Sequence, residues 1–246
     1  YETSRLNFIG RGRSLFNPIA MDKDAPLHNT VGAVLDPIIS MRRRVVLNSG
    51  ESCKIAYTIA VADTKGEAIA LAKKYREFQN VIRAFELAWT ESQVEMKYMG
   101  IKSTQANLYQ IMASRILFIN EQLIQRQDYI RRIKKHQRDL WPYGISGDLP
   151  IVLLIIRNEN DLDFVRQLIC AHEYWAMKGL KVDLVILNLE EVSYSQPLQH
   201  AVRDLLAVTK GSGRNRGGVF VHNRTTMDDA TIEFLMGIAR LVIDSE

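Results

Sequence analysis

The chain has no long apolar segment and very few cysteines. Its longest uninterrupted apolar run is Ile151–Ile156, far shorter than the roughly 18 residues that a membrane-spanning helix needs. The two cysteines, Cys53 and Cys170, have a spacing that suggests neither a metal site nor a disulfide framework. We therefore expect a soluble chain that makes no membrane contact itself, with both thiols buried and reduced.

Recognisable active-site motifs are missing as well. The chain has no Gly-x-Ser-x-Gly elbow, and no histidine stands at a recognisable spacing from a cysteine. His172-Glu173 would begin a zinc-protease helix, but Ala176 stands where that motif requires its second histidine. From the residues alone we predict no catalytic, cofactor-binding or metal-binding residue, and no cofactor, in this chain.

The composition is that of a globular protein with a mild excess of positive charge. The 246 residues are 47% apolar and 24% charged, enough for one large domain or two smaller ones. The net charge is +4 and the sequence pI about 9.0. The excess lies in three clusters: Arg42–Arg44; Arg131, Arg132, Lys134, Lys135 and Arg138; and Arg214 with Arg216. Such clusters can bind phosphates or nucleic acid, but no aromatic residues alternate with them, so we expect solvated faces and no nucleic-acid partner.

Residues 1–62 have the pattern of β structure. Leu6–Ile9, Arg43–Leu47 and Lys54–Ala62 are predicted as strands, the last two joined by a turn at Asn48–Glu51. A few strands cannot bury their own apolar face. We therefore interpret this segment as the C-terminal part of a β-sandwich whose other strands lie upstream of Tyr1. Because the chain begins without methionine, we also expect it to be a piece of a longer protein.

Residues 63–148 are predicted to form a helical linker layer. Asp63 or Thr64 can cap the first helix, and the helical repeat of apolar residues resumes beyond it and ends at Gly100. A second long helix is predicted to start near Ser103. Residues 125–139 have few apolar side chains, which favours a loop or a surface helix.

The segment Leu140–Pro150 separates this helical region from an α/β subdomain at residues 149–246. Its two glycines and two prolines mark sharp changes of chain direction. Beyond it, strand and helix patterns alternate: strands at Ile151–Ile156, Val182–Leu187 and Gly218–Val221, and helices at Asp161–Lys178, Ser195–Val208 and Met227–Val242. This alternation predicts a three-stranded parallel sheet with right-handed crossovers. The predicted fold class is mixed α and β, made of the sandwich part, the linker layer and this subdomain.

A pair of acidic residues follows the first strand of the subdomain. Asp161 and Asp163 form an Asp-x-Asp pair, and two such carboxylates can share a divalent cation that holds the diphosphate of a sugar nucleotide. Both also lie where a helix is predicted to begin, and negative charge there is stabilised by the helix dipole. We favour the capping interpretation and keep a metal-dependent sugar-nucleotide or phosphate site at Asp161 and Asp163 as the alternative.

Two other segments have both a functional and a structural interpretation. Gly211–Gly218 has the composition of a phosphate loop, but it precedes a strand, whereas phosphate loops follow one; we predict a flexible, solvated connection. His172 lies on the apolar stripe of its helix, which predicts a hydrogen-bonded core histidine. Glu173, Tyr174 and Trp175 could form a sugar-stacking face, although packing against neighbouring elements is the interpretation that we favour.

Six segments of the chain, in order, match one family. They are Glu2–Arg13, Gly32–Arg44, Ala88–Gln93, Gly144–Leu153, His172–Trp175 and Val182–Asn188. Together they resemble cyclic β-1,2-glucan synthase along nearly the whole chain. The resemblance implies a very large, membrane-embedded bacterial enzyme that transfers glucose from UDP-glucose and cyclises the product. It also implies a region similar to inverting glycoside phosphorylases such as cellobiose and chitobiose phosphorylase.

The family resemblance implies a β-sandwich, helical linkers and an (α/α)6 barrel that carries an acidic general acid. This chain resembles the place where the sandwich ends and helices begin, plus an α/β insert, and it has no barrel motif or transferase motif. We therefore expect a non-catalytic accessory region that scaffolds the catalytic domains. Its expected partners are neighbouring domains of the same polypeptide and, as a candidate ligand, β-1,2-glucan, at a surface that the sequence does not identify. The expected location is the cytoplasmic side of the bacterial inner membrane.

Overall fold

The chain folds into two compact units, Tyr1–Val81 and Ile82–Glu246. The computed structural model describes residues 1–190, 197–208 and 217–245. Its secondary structure is mixed α and β, which confirms the predicted class. Across the described ranges, no helix combines the length and the apolar character needed to span a membrane. The three-part organisation with boundaries near residues 62 and 148 stays a prediction.

The first unit begins with a short antiparallel strand pair. Strands β1 (Glu2–Ser4) and β2 (Pro37–Ser40) pair with Glu2 opposite Ser40. The Glu2 carboxylate is buried and accepts backbone N–H bonds from Thr3, Ser4 and His28. These bonds satisfy a charge that would otherwise be costly to bury.

A helix, not a strand, follows β1. The strand predicted at Leu6–Ile9 is wrong, because α1 (Arg5–Ile9) forms there. The hydroxyl of Ser4 accepts the backbone N–H of Asn7 at 3.4 Å and so provides the N-terminal cap. The apolar residues of this segment therefore lie in a helical turn. In so short a segment, the spacing of apolar residues does not distinguish a helix from a strand.

Residues 41–62 form no strands among the described residues, so the strands predicted at Arg43–Leu47 and Lys54–Ala62 are wrong. The turn between them is confirmed, since the Glu51 N–H donates to the Asn48 carbonyl at 3.1 Å. A strand needs a neighbour to take its backbone hydrogen bonds, and no described strand pairs with either segment. The alternating apolar residues of the second segment are between 54% and 90% exposed: Ile55, Tyr57, Ile59 and Val61.

Helices occupy most of the chain from residue 65 to residue 143. The first of them starts with a capping box, in which Thr64 Oγ1 accepts the Glu67 N–H and the Glu67 carboxylate accepts the Thr64 N–H. The long helices predicted here are confirmed. The elements are α2 (Lys65–Arg76), α3 (Phe78–Met99), α4 (Ser103–Leu117), α5 (Glu121–Gln125), α6 (Gln127–Arg132) and a 3-10 helix at Gln137–Tyr143.

The second unit is built on a parallel sheet of four strands. The strands are β3 (Ile151–Ile156), β4 (Asp183–Asn188), β5 (Val219–Asn223) and β6 (Leu241–Asp244), in the order β5-β4-β3-β6. The helices are α7 (Leu162–Met177), α8 (Pro197–Val208) and α9 (Asp229–Ile238). Short 3-10 helices at Glu159–Asp161 and Arg224–Thr226 precede α7 and α9. The predicted start of α8 at Ser195 lies outside the described residues.

The sheet has one strand more than the three that the sequence predicted. Residues Met227–Val242 were predicted as one helix, but α9 ends at Ile238, where the Ala239 N–H donates to the Leu235 carbonyl at 2.9 Å. The chain then pairs with the open edge of β3, with Leu241 opposite Val152. Apolar residues of the same types continue from α9 into β6. Their spacing therefore does not reveal where the helix ends and the strand begins.

Helices cover both faces of this sheet. Every residue of β3 is buried, as predicted for a parallel strand that is covered on both sides. One core cluster joins Val152, Leu154 and Ile156 to apolar residues of α4, α7 and α8. The other joins Leu153 and Ile155 to α9 and to Leu140 and Ile145. The chain therefore leaves β3 on one face and returns to β6 from the other.

Candidate functional site

The carboxyl ends of β3 and β6 form a topological switch point, because the helix that follows β3 and the helix that precedes β6 lie on opposite faces of the sheet. In open parallel sheets, ligands bind in the crevice at such a point. The polar residues at or shortly beyond the carboxyl ends of these two strands are Arg157, Asn158, Asp161, Asp244 and Ser245. We call these five residues the switch-point cluster. These residues are the candidate ligand-binding site of the second unit.

An ion pair joins the two strand ends of the switch-point cluster. The Arg157 guanidinium donates two hydrogen bonds to the Asp244 carboxylate, one from Nη1 to Oδ1 and one from Nη2 to Oδ2 at 3.1 Å. The two side chains are 28% and 38% exposed. A guanidinium at this position could bind a phosphate bidentately. In this chain both of its terminal nitrogens already donate to a carboxylate of the neighbouring strand.

Asp161 closes the other side of the cluster. Its Oδ2 accepts the backbone N–H groups of Arg157 at 2.7 Å and Asn158 at 3.1 Å, and the Ser245 hydroxyl at 3.0 Å. The residue precedes α7, as predicted, but its carboxylate caps the loop after β3 and makes no side-chain cap bond to α7. The amides that would bind an anion here are thereby bonded to an acidic side chain of the chain itself.

Asp163 has a different environment from Asp161. It lies in the first turn of α7, where its charge suits the helix dipole. Its side chain is 79% exposed and forms an ion pair with Arg166 at 2.6 Å, whereas Asp161 is 5% exposed. Within the described residues, no three His, Cys, Asp or Glu side chains are grouped so that they could hold a metal ion. The structure thus gives each member of the predicted pair its own protein partner.

Polar side chains also end β4 and β5, and the sequence analysis missed them. The Asn188 Oδ1 accepts the Glu190 N–H at 2.8 Å, and the Asn223 Nδ2 donates to the Gln199 Oε1 at 2.6 Å. Asn188 and Gln199 are buried. The sequence does contain a signal for them, because an asparagine stands at the end of each of these two strand segments. The carboxyl ends of parallel strands share one edge of the sheet, so these side chains could have been predicted to lie at that edge. The residues that follow Glu190, from 191 to 196, lie outside the described chain.

The histidine and the aromatic residues of α7 belong to the core. His172 is buried with its Nε2 2.8 Å from the Val182 carbonyl, which confirms the predicted core histidine. Tyr174 and Trp175 are buried too, and the Trp175 Nε1 donates to the Tyr109 carbonyl at 2.8 Å. Packing, the favoured interpretation, is therefore confirmed, and these two rings offer no face to a sugar.

Burial shifts the pKa of several groups in the second unit. Asp183 is buried and accepts the Gly218 N–H at 2.8 Å, and desolvation raises the pKa of its carboxyl. Desolvation lowers the pKa of His222, whose ring meets the Tyr143 ring edge-on at 5.6 Å. Burial also raises the pKa of the Cys170 thiol, which makes it a poorer nucleophile. Cys53, by contrast, is exposed, so the prediction that both thiols are buried is wrong.

Two basic residues from the predicted clusters, Arg42 and Lys135, have hydrogen-bond partners within the chain. Arg42 donates to the carbonyls of Ala20 and Ala25 at 2.5 and 2.6 Å. Lys135 bonds to the Asp228 carboxylate at 2.8 Å, and this bond holds the pKa of Asp228 at about 2. Arg42 is nevertheless exposed, so the prediction of a solvated face holds for it, whereas the Lys135 side chain is only 24% exposed and departs from that prediction. Arg214 and Arg216 lie outside the described residues, as does the loop predicted at Gly211–Gly218 up to residue 216.

Comparisons with known proteins agree with the resemblance inferred from the motifs. Residues 1–78 match the family model described as Glycosyl hydrolase 94, supersandwich domain. The chain is also 34% identical over 245 residues to cyclic beta-(1,2)-glucan synthase NdvB of Rhizobium meliloti (strain 1021). That alignment covers 98% of this chain but only 9% of the relative. These matches confirm the predicted resemblance and support the sandwich character of the N-terminal residues.

Proposed function

We propose, from the premise that this chain corresponds to a segment of a cyclic β-1,2-glucan synthase, that it is a non-catalytic accessory region which scaffolds the catalytic domains of such an enzyme. One observation carries the proposal. At the switch point, where an α/β sheet offers its ligand site, the Arg157 guanidinium is bonded to Asp244 and the neighbouring backbone amides are bonded to Asp161. A phosphate would have to displace both carboxylates to reach these donors.

Exposed apolar residues support the scaffolding part of the proposal. In the first unit, the segment 54–62 exposes four alternating apolar side chains and pairs with no strand among the described residues. On α3, Phe85 and Trp89 lie one turn apart and are 74% and 67% exposed. Contiguous exposed apolar surface marks interaction sites in folded proteins. The proposed partners are neighbouring domains of the same polypeptide, on the cytoplasmic side of the bacterial inner membrane, and the region contributes no cofactor.

The alternative is a metal-dependent sugar-nucleotide or phosphate site that uses Asp161 and Asp163. Their place just after the first strand of the parallel sheet favours it, since such sites lie at the carboxyl ends of strands. Their hydrogen bonds and ion pair disfavour a metal or phosphate site, because Asp161 already accepts three hydrogen bonds and Asp163 is paired with Arg166 on the surface. The two hypotheses therefore differ in what they expect of a simple titration.

Calorimetric titration of the chain with UDP-glucose and manganese separates the two hypotheses. The accessory role predicts no binding heat, with the native chain and with Asp163→Ala alike. Binding that requires manganese and is lost in Asp163→Ala would establish the alternative instead. Asp128→Ala is the matched control, because Asp128 is also an exposed acid paired with an arginine three residues further along its helix.

Hydrogen exchange tests the scaffolding role directly. Backbone amides of residues 54–62 are expected to exchange rapidly in this chain, since no strand in the described part of the chain pairs with them. In a longer synthase polypeptide that contains the same segment, we expect exchange to slow by a factor on the order of 100 or more as these amides pair with a neighbouring domain. Equal exchange rates in the two polypeptides would contradict the proposal.

A further inference from the structure

One tryptophan of the second unit is both exposed and fixed. Trp141 lies in the 3-10 helix Gln137–Tyr143 and is 63% exposed. Its indole Nε1 donates to the Ser146 carbonyl at 3.3 Å. An exposed indole with a bonded N–H presents an apolar ring face in a defined orientation.

The support around this indole consists of further hydrogen bonds to the same turn. The Gln137 Nε2 donates both to the Ser146 carbonyl at 2.9 Å and to the Asp148 Oδ1 at 2.8 Å. The Asp148 N–H in turn donates to the Ser146 hydroxyl at 3.2 Å. The side chains of Gln137 and Trp141 are therefore joined through one carbonyl oxygen, and neither has to be ordered when a ligand arrives.

The turn that carries these groups is anchored in the core and allows little change. Leu140 and Ile145 flank the tryptophan and are buried in the cluster under α9. Gly147 has a φ of +75°, and a Cβ atom built there would lie 2.8 Å from the Cγ of Gln137. Glycine is thus required both for the backbone conformation and for the position of Gln137.

The groups near the ring are polar and charged. Gln137 shares the Ser146 carbonyl with the indole, and Asp148 is bonded to Gln137. Arg138 lies three residues before Trp141, and side chains at that spacing eclipse in a 3-10 helix. Trp89 on α3 makes a useful contrast, because its neighbour one turn away is the exposed Phe85. An apolar stripe of that kind suits a protein partner. A single fixed ring among amide, guanidinium and carboxylate groups suits a ligand with an apolar face and a rim of hydroxyls.

We infer that Trp141 is a stacking platform for one glucosyl unit of a β-1,2-glucan chain, with Gln137, Arg138 and Asp148 as the groups that bond its hydroxyls. The C–H face of a β-glucopyranose covers the indole, while its equatorial hydroxyls reach the surrounding polar side chains. This inference rests on the proposed function, from which the choice of glucan follows. It names the surface through which an accessory region of a glucan synthase would hold product or growing chain without acting on it.

Titration of the chain with linear β-1,2-glucooligosaccharides tests this inference. Calorimetry should detect binding, and Trp141→Ala should weaken it about tenfold, which corresponds to about 1.4 kcal/mol, because the variant lacks the ring on which the sugar stacks. Trp141→Tyr keeps a flat ring and should lose less affinity than Trp141→Ala. Trp89→Ala is the matched control, since Trp89 is 67% exposed, and it should bind like the native chain. Thermal melting of each variant verifies that it is folded.

Acrylamide quenching gives a second readout that does not depend on an alanine variant. In Trp89→Phe the only exposed indole of the described chain is Trp141, since Trp175 is buried. Oligosaccharide should therefore protect the fluorescence of this variant from the quencher. Absence of binding by the native chain, equal affinity in Trp141→Ala, or equal losses in the Trp141 and Trp89 variants would each overturn the inference. None of these outcomes bears on the titration with UDP-glucose and manganese, so the inference and the proposed function can fail separately.

Discussion

Arg126 is the residue whose replacement tests the packing of the second unit most sharply. The side chain is buried, and its guanidinium donates to the carbonyls of Gln122 at 3.1 Å, Met236 at 2.5 Å and Ala239 at 2.9 Å. Two of these carbonyls lie at the C-terminal end of α9, where helix carbonyls have no partner within the helix. Arg126 thus joins the start of α6 to the turn that leads into β6.

The magnitude follows from what Arg126→Met would leave behind. Methionine keeps the apolar stem but leaves three carbonyl oxygens without their hydrogen-bond donor. Each hydrogen bond from a charged donor contributes about 1.5–3 kcal/mol to the free energy of unfolding. The cost of burying the guanidinium, which also lowers the pKa of Arg126, offsets part of that sum. We expect a net loss of about 3 kcal/mol in the free energy of unfolding, which corresponds to a fall in Tm of about 6–12 °C for a chain of this size.

Urea denaturation followed by circular dichroism, together with calorimetry, measures this loss. Arg131→Met is the control, because the Arg131 side chain is 74% exposed and its ion pair with Asp128 is loose, at 3.8 Å. It should change the free energy of unfolding by less than about 0.5 kcal/mol. If Arg126→Met were as stable as this control, the carbonyl bonds would not stabilise the end of α9, and the reasoning would be refuted.

Three further predictions concern the sheet and its buried titratable groups. Asp183→Asn should raise Tm at pH 7, because burial raises the pKa of Asp183 and so makes its charged form costly above that pKa. Asparagine can still accept the Gly218 N–H, whereas Asp183→Ala removes this acceptor and should lower Tm. Burial lowers the pKa of His222. The stability that the neutral ring provides is therefore complete above about pH 6.5 and is lost as the pH falls through the lowered pKa. His222→Phe should flatten the decline of Tm between about pH 7.5 and about pH 5. Leu154→Ala should cost about 3 kcal/mol in urea denaturation, because Leu154 is fully buried in the central strand, while Ile119→Ala, at a site 80% exposed, should cost less than about 0.5 kcal/mol.

The first strand of the parallel sheet and the core histidine are two features that the sequence predicts well. Ile151–Ile156 is apolar without interruption, as expected for a parallel strand that is covered on both faces. The core position of His172 follows from its place on the apolar stripe of α7. In these cases the local pattern and the tertiary contact impose the same requirement.

The features that the sequence did not predict depend on partners far along the chain. Strand β6 forms because β3 has an open edge, not because its residues differ in type from those of α9. The bond between Arg157 and Asp244 joins residues 87 positions apart, and neither has a distinctive neighbour in the sequence. The exposure of Trp141 depends on the turn at Ser146, whereas Trp175 is buried under α4. Composition and periodicity carry no information on such pairs.

The central claim is that this chain supports a glucan synthase without forming or breaking glycosidic bonds. Incubation of the chain with UDP-glucose, and separately with β-1,2-glucan and inorganic phosphate, measures that most directly through the release of UDP or of glucose 1-phosphate. We predict that neither product exceeds the level of a protein-free blank. Steady release of either one, in proportion to the amount of folded chain, would contradict the account.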